Sequence, residues 1–294
     1  MIPMAMGSES GLSSQRERAA RFRSLHESGG PLLLGNAWDL GSALILQRLG
    51  YLAVGTTSAG VAFSRGLPDH GVVSPEVHLE FAKQLASLLK VPVNLDLESA
   101  LDLEGEALSK LIEEVLRTGV AGVNVEDSIA GLNLRFIALE RQVERIHTIR
   151  EAVRHLKGDL VINARVDSLW LNPAATDGDF QDLLSRAKAY RDAGADCIFA
   201  PGLVREDWIL ELIRSVGCPV NLLFSPVGPN LERMTSLGVR RISQGSSLVR
   251  SVYSSFHFMA ERFLSHGTLG APLVESALSY SQMNDLFIDA KTRQ

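Results

Sequence analysis

The chain is poor in cysteine, shows no excess of basic charge and contains no long apolar run. Only Cys197 and Cys218 occur in 294 residues, both within apolar, strand-like stretches. A disulfide framework is therefore not expected, and a reducing compartment fits. The formal net charge is -5, and no basic stripe of the kind phosphates require is visible, so nucleic acid is not an expected partner. No apolar segment approaches the roughly 20 residues that span a bilayer, so no membrane partner is expected either. The segment MIPMAMGSESGLSSQRERAARF lacks the apolar core of a secretory signal. Residues 1–14 are expected to form a mobile tail, and a cytoplasmic location is expected.

What the sequence does contain is alternation. Short β-type runs at 31–35, 52–56, 92–96, 122–126, 160–164, 197–200, 219–223 and 241–243 are each followed by an amphipathic helical stretch. Glycines close several of the helical patterns, the usual C-terminal punctuation. Strict β-then-α alternation implies a parallel sheet. Eight such units in a chain of this length predict an α/β fold of the (β/α)8 TIM-barrel type. A doubly wound sheet is the alternative, but no G-x-G-x-x-G follows the first strand. No linker interrupts the pattern, so residues 15–294 are expected to form a single barrel domain. Its C-terminal extension contains a further helical stretch, ESALSYSQMNDLFID.

The carboxyl ends of barrel strands are where such folds place their chemistry. Asp96 and Glu98 close the third run, PVNLDLES, and alternate strand residues point to one face. Glu126 closes the fourth, GVNVEDS, beside Asn124 and Asp127. The fifth gives Asn163, Arg165 and Asp167 in INARVDS, and the seventh gives Asn221 and Ser225. Converging strand-end carboxylates are what a hard divalent cation such as Mg²⁺ uses. After the second run, Thr56-Thr57-Ser58-Ala59-Gly60 offers small residues with backbone N–H groups suited to an anion. Arg165 suits a carboxylate or a developing enolate.

Each feature also has a plain structural reading. Strand-end charges can form salt bridges in a barrel mouth, and Arg165 could simply neutralise Glu126. The segment TTSAG could be only a tight turn. Asp69, in SRGLPDHG, either supports the metal region or is a solvated loop charge. Trp38 is a candidate pocket wall, and Asp39 is expected to cap the following helix. Cys197 reads as a small core residue rather than a nucleophile. His78, His147, His155 and His257 fall on helical stretches and carry no assigned role.

The stretches TTSAGVAFSRGLPD, PVNLDLE, GVNVEDS, INARVDS and GVRRISQGSS, in this order, resemble the isocitrate lyase and phosphoenolpyruvate mutase superfamily. The resemblance covers residues of about 30–265 and is closest to short 2-methylisocitrate lyase-like and oxo-acid decarboxylase members. It implies a barrel with Mg²⁺ at its mouth, Mn²⁺ being the alternative ion. Asp96 and Glu98 would hold the ion, supported by Glu126 and Asp69 from outside direct coordination. Ser58 and the amides of Ala59 and Gly60 would take a substrate carboxylate, with Asn124 and Asn221 as further substrate contacts. Arg165 and Glu126 would be the catalytic pair. The resemblance also implies a homo-oligomer, a dimer or tetramer, that exchanges the helix at 246–264 between subunits.

Two departures shape the expected function. Where relatives carry a glycine–tyrosine–glycine turn after the metal strand, this chain reads Ser99-Ala100-Leu101-Asp102. Where true isocitrate and methylisocitrate lyases carry a gate loop with a proton-transferring cysteine, it reads SIAGLNLRFIALERQ, with no cysteine, lysine or histidine. The expected activity is a Mg²⁺-dependent lyase cleaving a C–C bond in a small 2-oxo or 2-hydroxy carboxylic acid through an enolate. Efficient cleavage of isocitrate or 2-methylisocitrate is not expected. The alternatives are a non-catalytic oxo-acid-binding protein and, less favoured by the gate loop, P–C bond chemistry on a phosphonate.

Overall fold

The computed structural model describes residues 9–27, 29–69, 73–98, 102–129, 135–170, 172, 174–269 and 277–291. Eight strands close into a parallel barrel: β1 (Leu32–Ala37), β2 (Val54–Thr56), β3 (Val93–Asp96), β4 (Gly122–Glu126), β7 (Val161–Arg165), β8 (Cys197–Ala200), β9 (Val220–Leu223) and β10 (Arg241–Ser243). They are hydrogen-bonded in the order β1-β10-β9-β8-β7-β4-β3-β2. The two remaining strands, β5 (Ser128–Ile129) and β6 (Arg135–Phe136), form an antiparallel pair above β4. The barrel strands are short apolar runs because helices cover the outside and side chains fill the inside; every residue of β4 and of β8 is buried.

The helices follow from 3.6-residue periodicity. α5 (Gly105–Thr118) buries Leu108, Leu111, Ile112, Val115 and Leu116 on one stripe, and its opposite face is charged. It ends at Gly119, whose φ of 83° is the left-handed cap that glycine adopts most readily. Around the barrel lie α2 (Leu40–Arg48), α4 (Pro75–Leu88), α6 (Leu139–His155), α7 (Asp177–Asp192), α8 (Glu206–Val216) and α9 (Leu231–Leu237), with a short α3 (Ser58–Phe63) directly after β2.

Three features bear on the sequence-based expectation, the first two as departures from it. First, α1 (Glu9–Glu27) precedes the barrel, so residues 9–14 are helical rather than part of a mobile tail; residues 1–8 lie outside the described residues. Its buried side chains are Gln15, Ala19, Phe22 and His26. Phe22 packs with Leu32, Leu34, Ala53, Ala121 and Val161 at the amino ends of the strands. Second, β1 runs to Ala37, two residues beyond its predicted end, which carries Asn36 to the barrel mouth. Third, α10 (Ser247–His266) buries only Val249 among its 20 residues, while Phe256, Phe258 and Phe263 are exposed. α11 (Tyr280–Lys291) follows it and packs against α2. Among the described residues, no helix is long and apolar enough to cross a membrane.

Candidate active site

A cavity of about 210 Å³ opens at the carboxyl ends of the barrel strands. Asp69, Asp96, Glu98 and Glu126 line it, and among the described residues Arg165 is its one cationic side chain. The five residues come from four separate stretches, Asp96 and Glu98 sharing the end of β3, and are brought together by closure of the barrel. Asp96 is the register partner of Asn124, and Glu126 is the register partner of Arg165.

Asp96 is held on both oxygens. Its Oδ2 accepts the Ser58 amide at 3.1 Å, and its Oδ1 accepts Asn124 Nδ2 at 3.3 Å. Glu98 lies two residues beyond the strand end with φ of 52°, a left-handed conformation that is uncommon for a side-chain-bearing residue. So it does not reach the mouth by simple strand alternation: the backbone turns, and its carbonyl accepts the Glu126 amide at 3.0 Å. His78 Nε2 approaches Glu98 Oε1 at 3.8 Å, an acid–imidazole neighbour that the sequence reading left without a role. Burial pulls the His78 pKa down, against the raising effect of Asp96 and Asp69.

Arg165 pairs with Glu126, Nη1 to Oε2 at 2.6 Å, and with Asp167, Nε to Oδ1 at 2.6 Å. The contact between Arg165 and Glu126 that the plain structural reading anticipates is therefore present. The guanidinium also lies over Trp170 and Phe199, 5.5 and 5.9 Å from their ring centroids. Burial opposes its charge, but Asp167, Glu126 and Asp96 hold its pKa above the ordinary value. Glu126 is pushed well above the usual carboxylate range by burial, and Asp167, Asp96 and Glu98 add to this against the pull of Arg165.

Behind Arg165 stands a second acid layer. Asp167 and Asp127 are fully buried. Asp167 accepts Ser128 Oγ at 2.5 Å, and its amide donates to Asp127 Oδ1 at 2.9 Å. Asp127 Oδ2 accepts Tyr190 Oη at 2.8 Å and Arg186 Nη1 at 3.2 Å. Burial first, and then Asp167, raise the Asp127 pKa to about 6.

Ser58 and Ala59 line the cavity, as expected. Gly60 does not: its amide turns back to Thr57 Oγ1 at 3.5 Å, and a Cβ there would meet Trp38 Cβ at 2.8 Å, so close packing accounts for the glycine. Asn221 also misses the cavity. It sits one inward-facing layer below Leu223, with Oδ1 accepting Ser243 Oγ at 3.1 Å. Trp38 is not a wall of the cavity either, whereas Asp39 caps α2 through a capping box. Cys197 is buried, and burial raises its thiol pKa, in keeping with a core role.

The sequence reading missed Asn36, Ser243, Ser246, Trp170, Phe199 and Leu223, all of which line the cavity. The rule that found Asp96 would have found Asn36 and Ser243, polar residues at the carboxyl ends of apolar runs. Residues 99–101 of the altered turn and 130–134 of the gate loop lie outside the described residues; the loop's polar candidates are Asn133, which falls in that undescribed stretch, and Arg135, of which only the backbone, in β6, is described.

Among the described residues, no three His, Cys, Asp or Glu side chains are grouped closely enough to hold a metal ion by themselves. The donors facing the cavity are nonetheless hard oxygens, with carboxylates outnumbering guanidinium. Mg²⁺ is commonly bound through one or two carboxylates, retained waters and substrate oxygens, and this donor set suits that pattern.

The sequence model of phosphoenolpyruvate phosphomutase matches residues 22–264. A 2-methylisocitrate lyase of Halalkalibacterium halodurans is 29% identical over 214 residues, covering 70% of this chain and 67% of that one. An oxaloacetate decarboxylase of Pseudomonas entomophila is 27% identical over 293 residues, covering 95% and 96%. A crystal structure from Burkholderia cenocepacia J2315, provisionally named a lyase/mutase, superposes with a TM-score of 0.84 at 31% identity, covering 94% and 98%.

Proposed function

The chain belongs to the phosphoenolpyruvate phosphomutase family, and from that premise we propose that it is a Mg²⁺-dependent carbon–carbon lyase for a small 2-oxo or 2-hydroxy carboxylic acid. One observation carries this reading: four carboxylates and a single guanidinium share one cavity of about 210 Å³ at the barrel mouth. Asp96 and Glu98 would hold the ion, with Asp69 and Glu126 beside it through water. A bound divalent cation would supply positive charge against the negative charge that develops as a bond breaks, an effect worth several kcal/mol.

The chain's own residues would then orient and polarise the acid. Arg165 has committed Nη1 to Glu126 and Nε to Asp167, which leaves Nη2 for a substrate oxygen. One preorganised donor at a developing oxyanion contributes roughly 3–4 kcal/mol. Trp170, Phe199 and Leu223 form an apolar wall that limits water around the reacting carbons. With Arg165 as the one cationic wall residue among those described, a mono- or dicarboxylate fits better than a tricarboxylate. Decarboxylation of an oxaloacetate-like acid requires no dedicated acid at the bond-breaking step. The carbon–carbon pair of electrons would pass to C3 and the C2 oxygen, CO₂ would leave, and water would return a proton to C3.

The bare apolar face of α10 supports assembly with a second copy of the chain, the helix being exchanged between subunits. A second functional reading, oxo-acid binding without turnover, is favoured by the engagement of Arg165 with two carboxylates. Both readings are tested by purified protein with Mg²⁺ and either oxaloacetate or 2-methylisocitrate. Pyruvate formation from oxaloacetate above the protein-free metal background, abolished by chelation, is expected. Saturable binding with no product from either acid would favour the second reading. Neither binding nor product would overturn both.

A further inference from the structure

Arg241 is a fully buried guanidinium inside the barrel, and among the described residues no carboxylate lies within ion-pair distance of it. Its donors go to neutral groups: Nε to Ser243 Oγ at 3.2 Å, Nη1 to Asn94 Oδ1 at 3.5 Å and Nη2 to Asn124 Oδ1 at 3.2 Å. The Phe22 ring of α1 lies beneath it, 5.7 Å from centroid to guanidinium carbon. A buried charge with no carboxylate in contact is expensive, and Asp96 favours it only from a distance, so this position calls for a physical reason.

Asn124 supplies it. Its Oδ1 accepts three donors: Arg241 Nη2, Asn94 Nδ2 at 3.0 Å and Asn163 Nδ2 at 2.8 Å. Neighbouring amides could flip together with it, but a guanidinium only donates, so a flipped Asn124 would set its NH₂ against Arg241 and a single orientation is allowed. That orientation turns Nδ2 upward to Asp96 Oδ1 at 3.3 Å. With Ser58 N on Oδ2, each Asp96 oxygen has one fixed donor, and the carboxylate so held lines the cavity. The chain of contacts is Arg241 to Asn124 to Asp96, from barrel interior to mouth.

We propose that Arg241 is a positioning residue that locks the Asn124 amide as a donor to Asp96 and so presets the carboxylate for its cation. This rests on the reading of Asp96 as a cation ligand. Partners behind a metal ligand typically change metal affinity by about 10- to 100-fold. The test measures Mg²⁺ binding by calorimetry without substrate, beside thermal melts, for the wild-type protein and the variants Arg241→Met, Arg241→Lys and Asn124→Ala, and for Arg241→Met combined with Asn124→Ala. Arg241→Met, which removes the buried charge at similar volume, is expected to weaken Mg²⁺ binding about 10- to 100-fold. Arg241→Lys should recover part of that loss. Asn124→Ala should reproduce the loss, and adding Arg241→Met to it should cost no more. A folded Arg241→Met with wild-type Mg²⁺ affinity, or losses that simply multiply in the double variant, would overturn the proposal alone. Wild-type protein that binds no Mg²⁺ would overturn it together with the metal reading beneath it. If Arg241→Met does not fold, the decision passes to Arg241→Lys and Asn124→Ala: wild-type affinity in Asn124→Ala overturns the proposal.

Discussion

Arg165 and Glu126 face each other across the β7–β4 pair as register partners, and their side chains meet at 2.6 Å. The pair sits where Asp167, Asp96 and Glu98 crowd further negative charge around Glu126, which burial already drives toward its protonated form. On the proposed reading, Arg165 would thus be shared between holding an acid and meeting a substrate. For Glu126→Gln, the amide oxygen still accepts from Arg165 while one crowded charge is removed. We expect kcat/KM to fall by about 10²- to 10³-fold with no loss in melting temperature at neutral pH. A melting temperature lowered by many degrees would show that the ion pair is mainly structural.

Asp96→Ala should abolish Mg²⁺-dependent turnover while leaving the fold intact, because Asp96 is half-buried at the rim rather than in the packed core. Circular dichroism checks the fold, and a product assay across a Mg²⁺ series checks the activity. Full activity in this variant would make the metal assignment wrong.

The buried Asp127 gives a pH signature in stability. Its folded-state pKa, about 6 against an ordinary 3.8, is raised, so the folded chain binds this proton more tightly than the unfolded one. The contribution is present below pH of about 4 and is lost as pH rises through about 6, by on the order of 3 kcal/mol. In Asp127→Asn this slope should vanish. Denaturant melts of both proteins at pH 4 and pH 7 measure it. A stability difference that stays constant between the two pH values would refute the assignment.

Helix α10 carries Phe256 and Phe263 at 64% and 60% exposure, a costly arrangement for a lone chain in water. Replacing both with Asp should shift the protein to a smaller species in light scattering coupled to size exclusion. The barrel itself should persist, since only Val249 of this helix is buried. An unchanged mass would argue against exchange of the helix.

The barrel was legible because its strands are unbroken apolar runs separated by amphipathic helices, a pattern few other folds produce. The acids were legible because a charged residue at the end of such a run has one obvious place to be. Helix α1 was not, for a definite reason: its buried stripe is Gln15, Ala19, Phe22 and His26. The spacing is helical, yet half of the stripe is polar, so hydrophobicity hides it. Gln15 Nε2 donates to the Val120 carbonyl at 2.9 Å and His26 Nδ1 bonds Phe22 O at 2.8 Å, contacts that only the folded chain reveals. Asn221 and Gly60 were misplaced because depth in a barrel depends on strand stagger and on where a turn tightens, and neither is written in residue type. The relay from Arg241 escaped notice because its members lie on β10, β4 and β3, far apart in sequence.

Phe22 stoppers the barrel at the end away from the acids, with Arg241 directly inside it. Among the described residues, the acid-lined cavity opens at the other end, above this plug. In a lyase of the kind proposed, water would then meet a carbanion from the rim side, so its quenching would be set at one end of the barrel.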